Sequence, residues 1–154
     1  MASLTASPAV ALSRPRPASR TTRRGRYALV GLATVVAAVL ATVAVYALGA
    51  LAVGYHSGFI VLANPSGVAL FTVVPAIVAT LLYAALRRFA RRLERTFAGL
   101  AAVVFVVTTI PDFTSIPSVP GATVGQTAIL VLTHLVAAAV IVGMLTRLSP
   151  PRAR

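Results

Sequence analysis

The feature that most constrains this chain is a cluster of five arginines within the nine residues Arg87–Arg95, with long apolar runs on either side. An arginine at the centre of a bilayer costs about 2.5–3.5 kcal/mol, whereas each Leu, Ile, Val or Phe recovers only about 0.3–0.6 kcal/mol. This arginine segment must therefore lie outside the hydrocarbon. The positive-inside rule places it in the cytoplasm, where arginines contact anionic lipid headgroups. The residues concerned are Arg87, Arg88, Arg91, Arg92 and Arg95.

The overall composition is that of an integral membrane protein. The chain is 58% hydrophobic and 10% charged, while soluble domains are nearer half apolar and a quarter charged. A net charge of +12 raises the question of nucleic-acid binding, because arginines neutralise phosphates. However, all 14 basic residues are arginines, and they fall in three groups that each border an apolar run. This distribution indicates membrane topology and lipid contact, and no nucleic-acid partner.

Four apolar segments are predicted to span the membrane, at about residues 28–53, 67–86, 94–110 and 126–148. The predicted fold is all-α: a membrane-embedded antiparallel four-helix bundle with both termini cytoplasmic. This topology puts every arginine on one side of the membrane. Residues 1–26, rich in Ser, Ala, Pro, Thr and Arg, are predicted to form a disordered basic tail, and 149–154 a second, short basic tail.

Several boundaries follow from local signals. Span 1 is far longer than the 7–15-residue core of a signal peptide, which favours a retained anchor over cleavage near Ala52. Asn64 before Pro65 predicts the start of a helix, since Asn caps a helix and Pro suits its first position. Pro111 is predicted to end span 3. Pro75, inside span 2, predicts a kink, and a gating hinge is the alternative reading.

The start of span 4 and the alanine spacing in span 1 carry two further predictions. Thr123 and Gln126 have the spacing of a capping box, in which each side chain accepts from the other residue's backbone N–H. Ala33, Ala37 and Ala41 would let another helix approach closely. That helix could belong to the same chain, to another membrane protein or to a second copy.

His134 is the one titratable group that the sequence places deep in a span. An ionisable residue inside a membrane is a candidate functional group, and a hydrogen-bonded histidine that joins two helices is the structural alternative. Its candidate partners in a polar core or pathway are Thr42, Tyr46 and Thr80. No predicted span carries a carboxylate at its centre, which argues against a proton relay. Asp112 with His56 is a second candidate, as a cation or proton site in the loops opposite the arginine segment.

Catalytic chemistry finds little support in this sequence. The chain has no cysteine, two acidic residues and two histidines. It lacks HExxH, GxSxG and P-loop patterns, and the bis-histidine form of a transmembrane haem site would need a second histidine within the bundle. We therefore expect no enzyme activity, no cofactor and no metal.

The order of spans and loops resembles an uncharacterised actinobacterial family of small four-helix membrane proteins, a domain of unknown function. The resemblance covers roughly residues 27–148 and is carried by Gly121-Ala122-Thr123 and by Leu132-Thr133-His134-Leu135-Val136-Ala137-Ala138-Ala139. It implies a bacterial plasma-membrane location and supplies no activity. Two functions are open: a non-enzymatic structural or accessory membrane component, and a small transporter or channel subunit that uses His134. Few polar residues line the spans, which favours the first.

Overall fold

A computed structural model describes residues 20–55 and 64–149, with side chains given from residue 25 onward. This part of the chain forms four long α-helices and one short 3₁₀ helix, with no strand. Each long helix is long and apolar enough to cross a membrane, so the predicted all-α, four-helix membrane class is confirmed. The elements are α1 (Arg20–Val53), α2 (Pro65–Phe89), α3 (Leu93–Thr114), the 3₁₀ helix (Ile116–Ser118) and α4 (Val124–Leu148).

Two helix starts have the caps that the sequence predicts. The Asn64 side chain accepts a hydrogen bond from the Ser66 backbone N–H at 3.1 Å, with Pro65 as the first helical residue of α2. At the start of α4, the Thr123 hydroxyl accepts from the Gln126 N–H at 3.2 Å, and the Gln126 side chain accepts from the Thr123 N–H at 3.0 Å. Both the N-cap and the capping box are confirmed.

The arginine segment forms the end of α2, a tight turn and the start of α3. Helix α2 stops at Phe89 and α3 begins at Leu93, and the Ala90 N–H bonds back to the Leu86 carbonyl at 2.8 Å. The two helices therefore meet in a sharp turn over residues 90–92, at the centre of the arginine segment. We call this end of the bundle the arginine end, and the opposite end the far end.

Helix α1 lies between α2 and α4, and α3 packs mainly on α4. A core cluster takes members from all four helices: Ala38, Ala76, Tyr83, Phe97, Ile141 and Leu145. Within this cluster the Tyr83 and Phe97 rings meet edge to face, with centroids 4.9 Å apart. A second cluster, around Val68 and Leu130, lies nearer the far end and includes Tyr46 and Tyr55.

Glycines allow α1 to approach both of its neighbours closely. A Cβ atom at Gly31 would lie 2.6 Å from Cγ2 of Thr80 on α2, and one at Gly49 would lie 2.8 Å from Cγ2 of Ile129 on α4. The end of α1 also meets the start of α4, where the Gln126 amide donates to the Gly54 carbonyl at 3.4 Å. Gly54 has a φ of 63°, a left-handed conformation that glycine adopts readily at the end of a helix.

Two predicted boundaries are wrong. Helix α1 begins at Arg20, so residues 20–26 of the predicted disordered tail are helical. Arginine is a good helix former, and a long apolar helix extends at low cost because each added residue contributes a hydrogen bond. Residues 1–19 and 150–154, the rest of the predicted tails, lie outside the described residues.

The second correction concerns α3, which does not end at Pro111. Instead the helix continues through this proline to Thr114, and the Ser115 N–H bonds to the Pro111 carbonyl at 2.9 Å. A proline in a helix loses one backbone bond and strains the preceding turn, but its fixed φ is compatible with the helix. The extension brings Asp112 onto the helix and against α4.

Candidate functional site

Asp112 and His134 form a buried polar contact between α3 and α4 near the far end of the bundle. Oδ2 of Asp112 lies 3.0 Å from Nδ1 of His134. The Asp112 side chain is only 6% exposed, whereas the His134 side chain is 38% exposed and reaches the bundle surface. A carboxylate is rarely buried this completely unless it is paired. We refer to these two residues as the Asp112–His134 pair.

The histidine nitrogen that faces Asp112 has a second neighbour at the same distance. Nδ1 of His134 is 3.0 Å from the Leu130 carbonyl oxygen, one turn earlier on α4. When Nδ1 carries the hydrogen, that hydrogen is aligned with the carbonyl rather than with the carboxylate. As a result, Oδ2 of Asp112 is buried without an aligned hydrogen bond. The short distance to Oδ2 is thus an electrostatic contact, and the carboxylate oxygen is left available to a proton.

Two tyrosines pack on the apolar cluster that includes Leu130 of α4. Tyr46 of α1 and Tyr55, just beyond it, contact the cluster around Val68 and Leu130, and their ring centroids are 4.8 Å apart. The Tyr55 hydroxyl donates to the Tyr46 carbonyl at 2.7 Å. Burial raises the pKa of Tyr55, and the nearby Tyr46 raises it further, so the hydroxyl keeps the proton that it donates.

The threonines proposed as partners of His134 have other contacts. Thr42 is fully buried, and its hydroxyl is 3.1 Å from that of Thr72 on α2. The single proton of the Thr42 hydroxyl is directed either to Thr72 or to the Ala38 and Val39 carbonyls of its own helix. The Thr80 hydroxyl donates to the Ala76 carbonyl at 2.8 Å. Thr42 and Thr80 therefore serve the α1–α2 contact, whereas Tyr46 lies beside the turn that precedes His134.

The remaining predicted residues are placed as follows. Pro75 lies inside α2, which continues uninterrupted to Phe89; its role as a hinge stays a prediction. The guanidinium of Arg87 lies 4.1 Å from the centre of the Tyr27 ring, and this contact joins the end of α2 to the first turns of α1. The other four arginines of the segment are exposed at the arginine end: Arg88, Arg91, Arg92 and Arg95.

Two expectations about Asp112 change. The sequence placed Asp112 in a loop after span 3, and this is wrong, because Asp112 lies on α3, near the end of the candidate span Leu93–Ser118. The prediction that no span carries a carboxylate at its centre is not affected. The proposed partner of Asp112, His56, lies outside the described residues. The sequence held one signal for the longer helix: the apolar part of span 3 is too short to cross a bilayer and had to be extended at one end. The predicted span 94–110 lengthens this apolar part toward the arginines, whereas in the structure α3 also continues past Pro111.

Among the described residues, no group of three or more His, Cys, Asp or Glu side chains is close enough together to hold a metal ion. The Asp112–His134 pair therefore offers two titratable groups in contact, in an apolar setting. Such an arrangement can bind and release a proton, and it can stabilise the contact between α3 and α4.

The chain belongs to a family of unknown function, DUF6069, whose family model matches residues 19–150. This match confirms the resemblance to an uncharacterised family of unknown function, while an actinobacterial origin stays a prediction. No curated protein and no solved structure matches the chain.

Proposed function

We propose that this member of a family of unknown function is a non-enzymatic structural or accessory component of the bacterial plasma membrane. It crosses the membrane four times as an antiparallel bundle, with both termini in the cytoplasm. The residue contacts between helices support the antiparallel arrangement. As residue numbers rise along α1 from Gly31 to Thr42, the partners on α2 fall from Thr80 to Thr72.

The position of the arginines supports the orientation and a lipid partner. The contact of Arg87 with Tyr27 joins the first turns of the α1 span to the end of α2. Tyr83, Phe97 and Leu145 share one core cluster, which brings the end of α4 to the same side. The described members of the three groups, Arg26, the arginine segment and Arg147, then lie on one side of the bundle, where each contributes about 1 kcal/mol of attraction to anionic headgroups.

The main support for an accessory role is the hydrogen bonding of the polar side chains inside the helices. Most hydroxyls in the described spans donate to carbonyls of their own helix, as those of Thr34, Thr109, Thr133 and Thr146 do. A transport pathway needs polar groups that face a common cavity and remain available to a solute. A bundle whose hydroxyls bond to their own backbone is suited to packing, with itself or with another membrane protein.

A small transporter or channel subunit that uses His134 is the second candidate. The observation in its favour is Asp112, because a carboxylate beside the histidine supplies the second titratable group that proton relays use. The two candidates differ in whether ions cross the membrane through the protein.

Flux measurements on the full chain in lipid vesicles separate the two functions. For an accessory component, we expect no proton or potassium flux above that of protein-free vesicles, at any pH that leaves the protein folded. His134→Gln, which keeps a hydrogen-bonding side chain, should behave as the parent does. A proton flux in the parent that disappears in His134→Gln would contradict the accessory role and favour the transporter.

A further inference from the structure

We propose that Asp112 and His134 together form a reversible proton-binding site within the membrane-spanning bundle. Three observations carry this proposal. The two side chains are 3.0 Å apart, the carboxylate oxygen that faces the histidine is buried without an aligned hydrogen bond, and the helices that hold them are candidate membrane spans. The site goes beyond the proposed function, since it exists whether or not ions cross the protein.

The charge of the pair explains why a proton is the ligand. With the histidine neutral and the carboxylate ionised, the pair carries one net negative charge in apolar surroundings. An isolated buried charge of this kind is so costly that a group takes up a proton or pairs with an opposite charge instead. One proton makes the pair neutral in either of two ways: on the carboxylate, as a carboxylic acid beside an imidazole, or on the ring, as an ion pair.

The proton balance is simple. A hydronium ion gives up one proton, which forms an O–H bond to the carboxylate or an N–H bond to the free ring nitrogen, and a water molecule is left. The net charge of the pair changes from −1 to 0, and no other bond forms or breaks. The histidine side chain is 38% exposed, so the pair is not sealed inside the bundle.

No described basic side chain is close enough to replace the proton. On α1 and just after it, the titratable residues on this side are Tyr46 and Tyr55, which pack on the cluster around Val68 and Leu130. On α2 the first titratable residue is Tyr83, in the cluster near the arginine end. On α3 and α4 the nearest charged residues are Arg95 and Arg147, about 26 Å and 20 Å away along their helices at 1.5 Å per residue. The connection 115–123 carries no titratable side chain.

Infrared spectroscopy tests the site directly, because the chain has only two acidic side chains. The full chain in lipid vesicles is titrated with acid, and the carbonyl stretch of a newly protonated carboxyl group is followed. We expect this band in Glu94→Gln, in which Asp112 is the one acidic side chain, and its loss when Asp112→Asn is added to that variant. In His134→Gln the midpoint should move by about one pH unit or more, since coupled groups titrate as a pair.

A second measurement keeps the proposal testable if Asp112→Asn does not fold. In the His56→Gln variant, His134 is the one remaining histidine, and the nitrogen chemical shifts of its ring report its hydrogen bonds and its proton. They should change with the same midpoint as the carboxyl band. A midpoint that differs between ring and carboxyl would overturn the proposal. So would a carboxyl band that persists with the same midpoint in folded Asp112→Asn/Glu94→Gln, or an unchanged midpoint in His134→Gln.

These results are independent of the flux experiment. A proton-binding site without flux agrees with an accessory protein, and flux without a shared transition at Asp112 and His134 would refute this site while leaving a transporter open.

Discussion

Replacing Gly31 with alanine tests the closest approach of α1 to α2. The added Cβ atom would lie 2.6 Å from Cγ2 of Thr80 and 3.9 Å from its Cβ. Carbon atoms in good contact are about 3.5–4.0 Å apart, so the new methyl group is roughly 1 Å too close to a single atom. Thr80 cannot easily turn away, because its hydroxyl donates to the Ala76 carbonyl at 2.8 Å and branched side chains are stiff at χ1.

Two opposing terms set the change in the free energy of unfolding that Gly31→Ala causes. Overpacking in a well-packed core costs about 1–3 kcal/mol, and alanine recovers up to about 1 kcal/mol over glycine through its helix propensity. Thr80→Ser removes Cγ2 and keeps the hydroxyl, so it removes the clash while leaving the hydrogen bond. The coupling free energy between Gly31→Ala and Thr80→Ser should therefore be about 1–3 kcal/mol, with the serine relieving the alanine.

The assay is reversible unfolding in lipid bicelles of four proteins: the parent, Gly31→Ala, Thr80→Ser and the double variant. Gly143→Ala in α4 is the matched control, because a Cβ there meets nothing within 4 Å. That control should leave the free energy of unfolding unchanged or raise it by up to about 1 kcal/mol. A coupling energy near zero between positions 31 and 80 would refute the close approach of α1 and α2.

Three further predictions concern hydrogen bonds. The Thr42→Val and Thr72→Val cycle should give a coupling of about 0.6 kcal/mol, and no more than about 1.7, in the same unfolding assay; a value of zero would mean that the two hydroxyls do not bond. Thr123→Ala should lower the free energy of unfolding by about 0.5–2 kcal/mol through the lost cap, whereas Thr123→Ser should not. The pKa of Tyr55 is raised from 10.0 in the folded protein, so stability should fall as the pH rises above about 10, where the unfolded chain loses its proton first. Tyr55→Phe should lack that fall, and an identical pH profile for this variant would contradict the burial of the Tyr55 hydroxyl that raises its pKa.

The helix ends show what the sequence could predict. The caps at Asn64 and Thr123 depend on side chains within three residues of the backbone groups they bond, and such local chemistry can be read from the sequence. The turn at Arg91 follows from a cost that no apolar neighbour can offset, namely the burial of several arginines. The caps depend on hydrogen bonds between neighbouring residues, and the turn depends on the cost of moving arginines into a membrane. Neither depends on contacts between distant parts of the chain.

The candidate site could not be predicted in the same way. Proline favours a helix end, so Pro111 indicated that Asp112 lies in a loop. The tertiary contact with α4 competes with that preference, and it cannot be read from the residues around Pro111. For His134 the depth in span 4 was predicted, but its neighbour depends on how far α3 and α4 are displaced along their axes. That displacement follows from the length of the connection 115–123 and the packing of the loop.

The central claim is that the chain crosses the membrane four times with the arginine segment in the cytoplasm. The chain has no cysteine, so single cysteines at two exposed positions, Arg91 between α2 and α3 and Ser118 between α3 and α4, can be labelled without background. A membrane-impermeant maleimide is added to intact cells and, separately, to permeabilised cells. The account predicts that Ser118→Cys is labelled in intact cells and that Arg91→Cys is labelled only after permeabilisation. Labelling of Arg91→Cys in intact cells would contradict it.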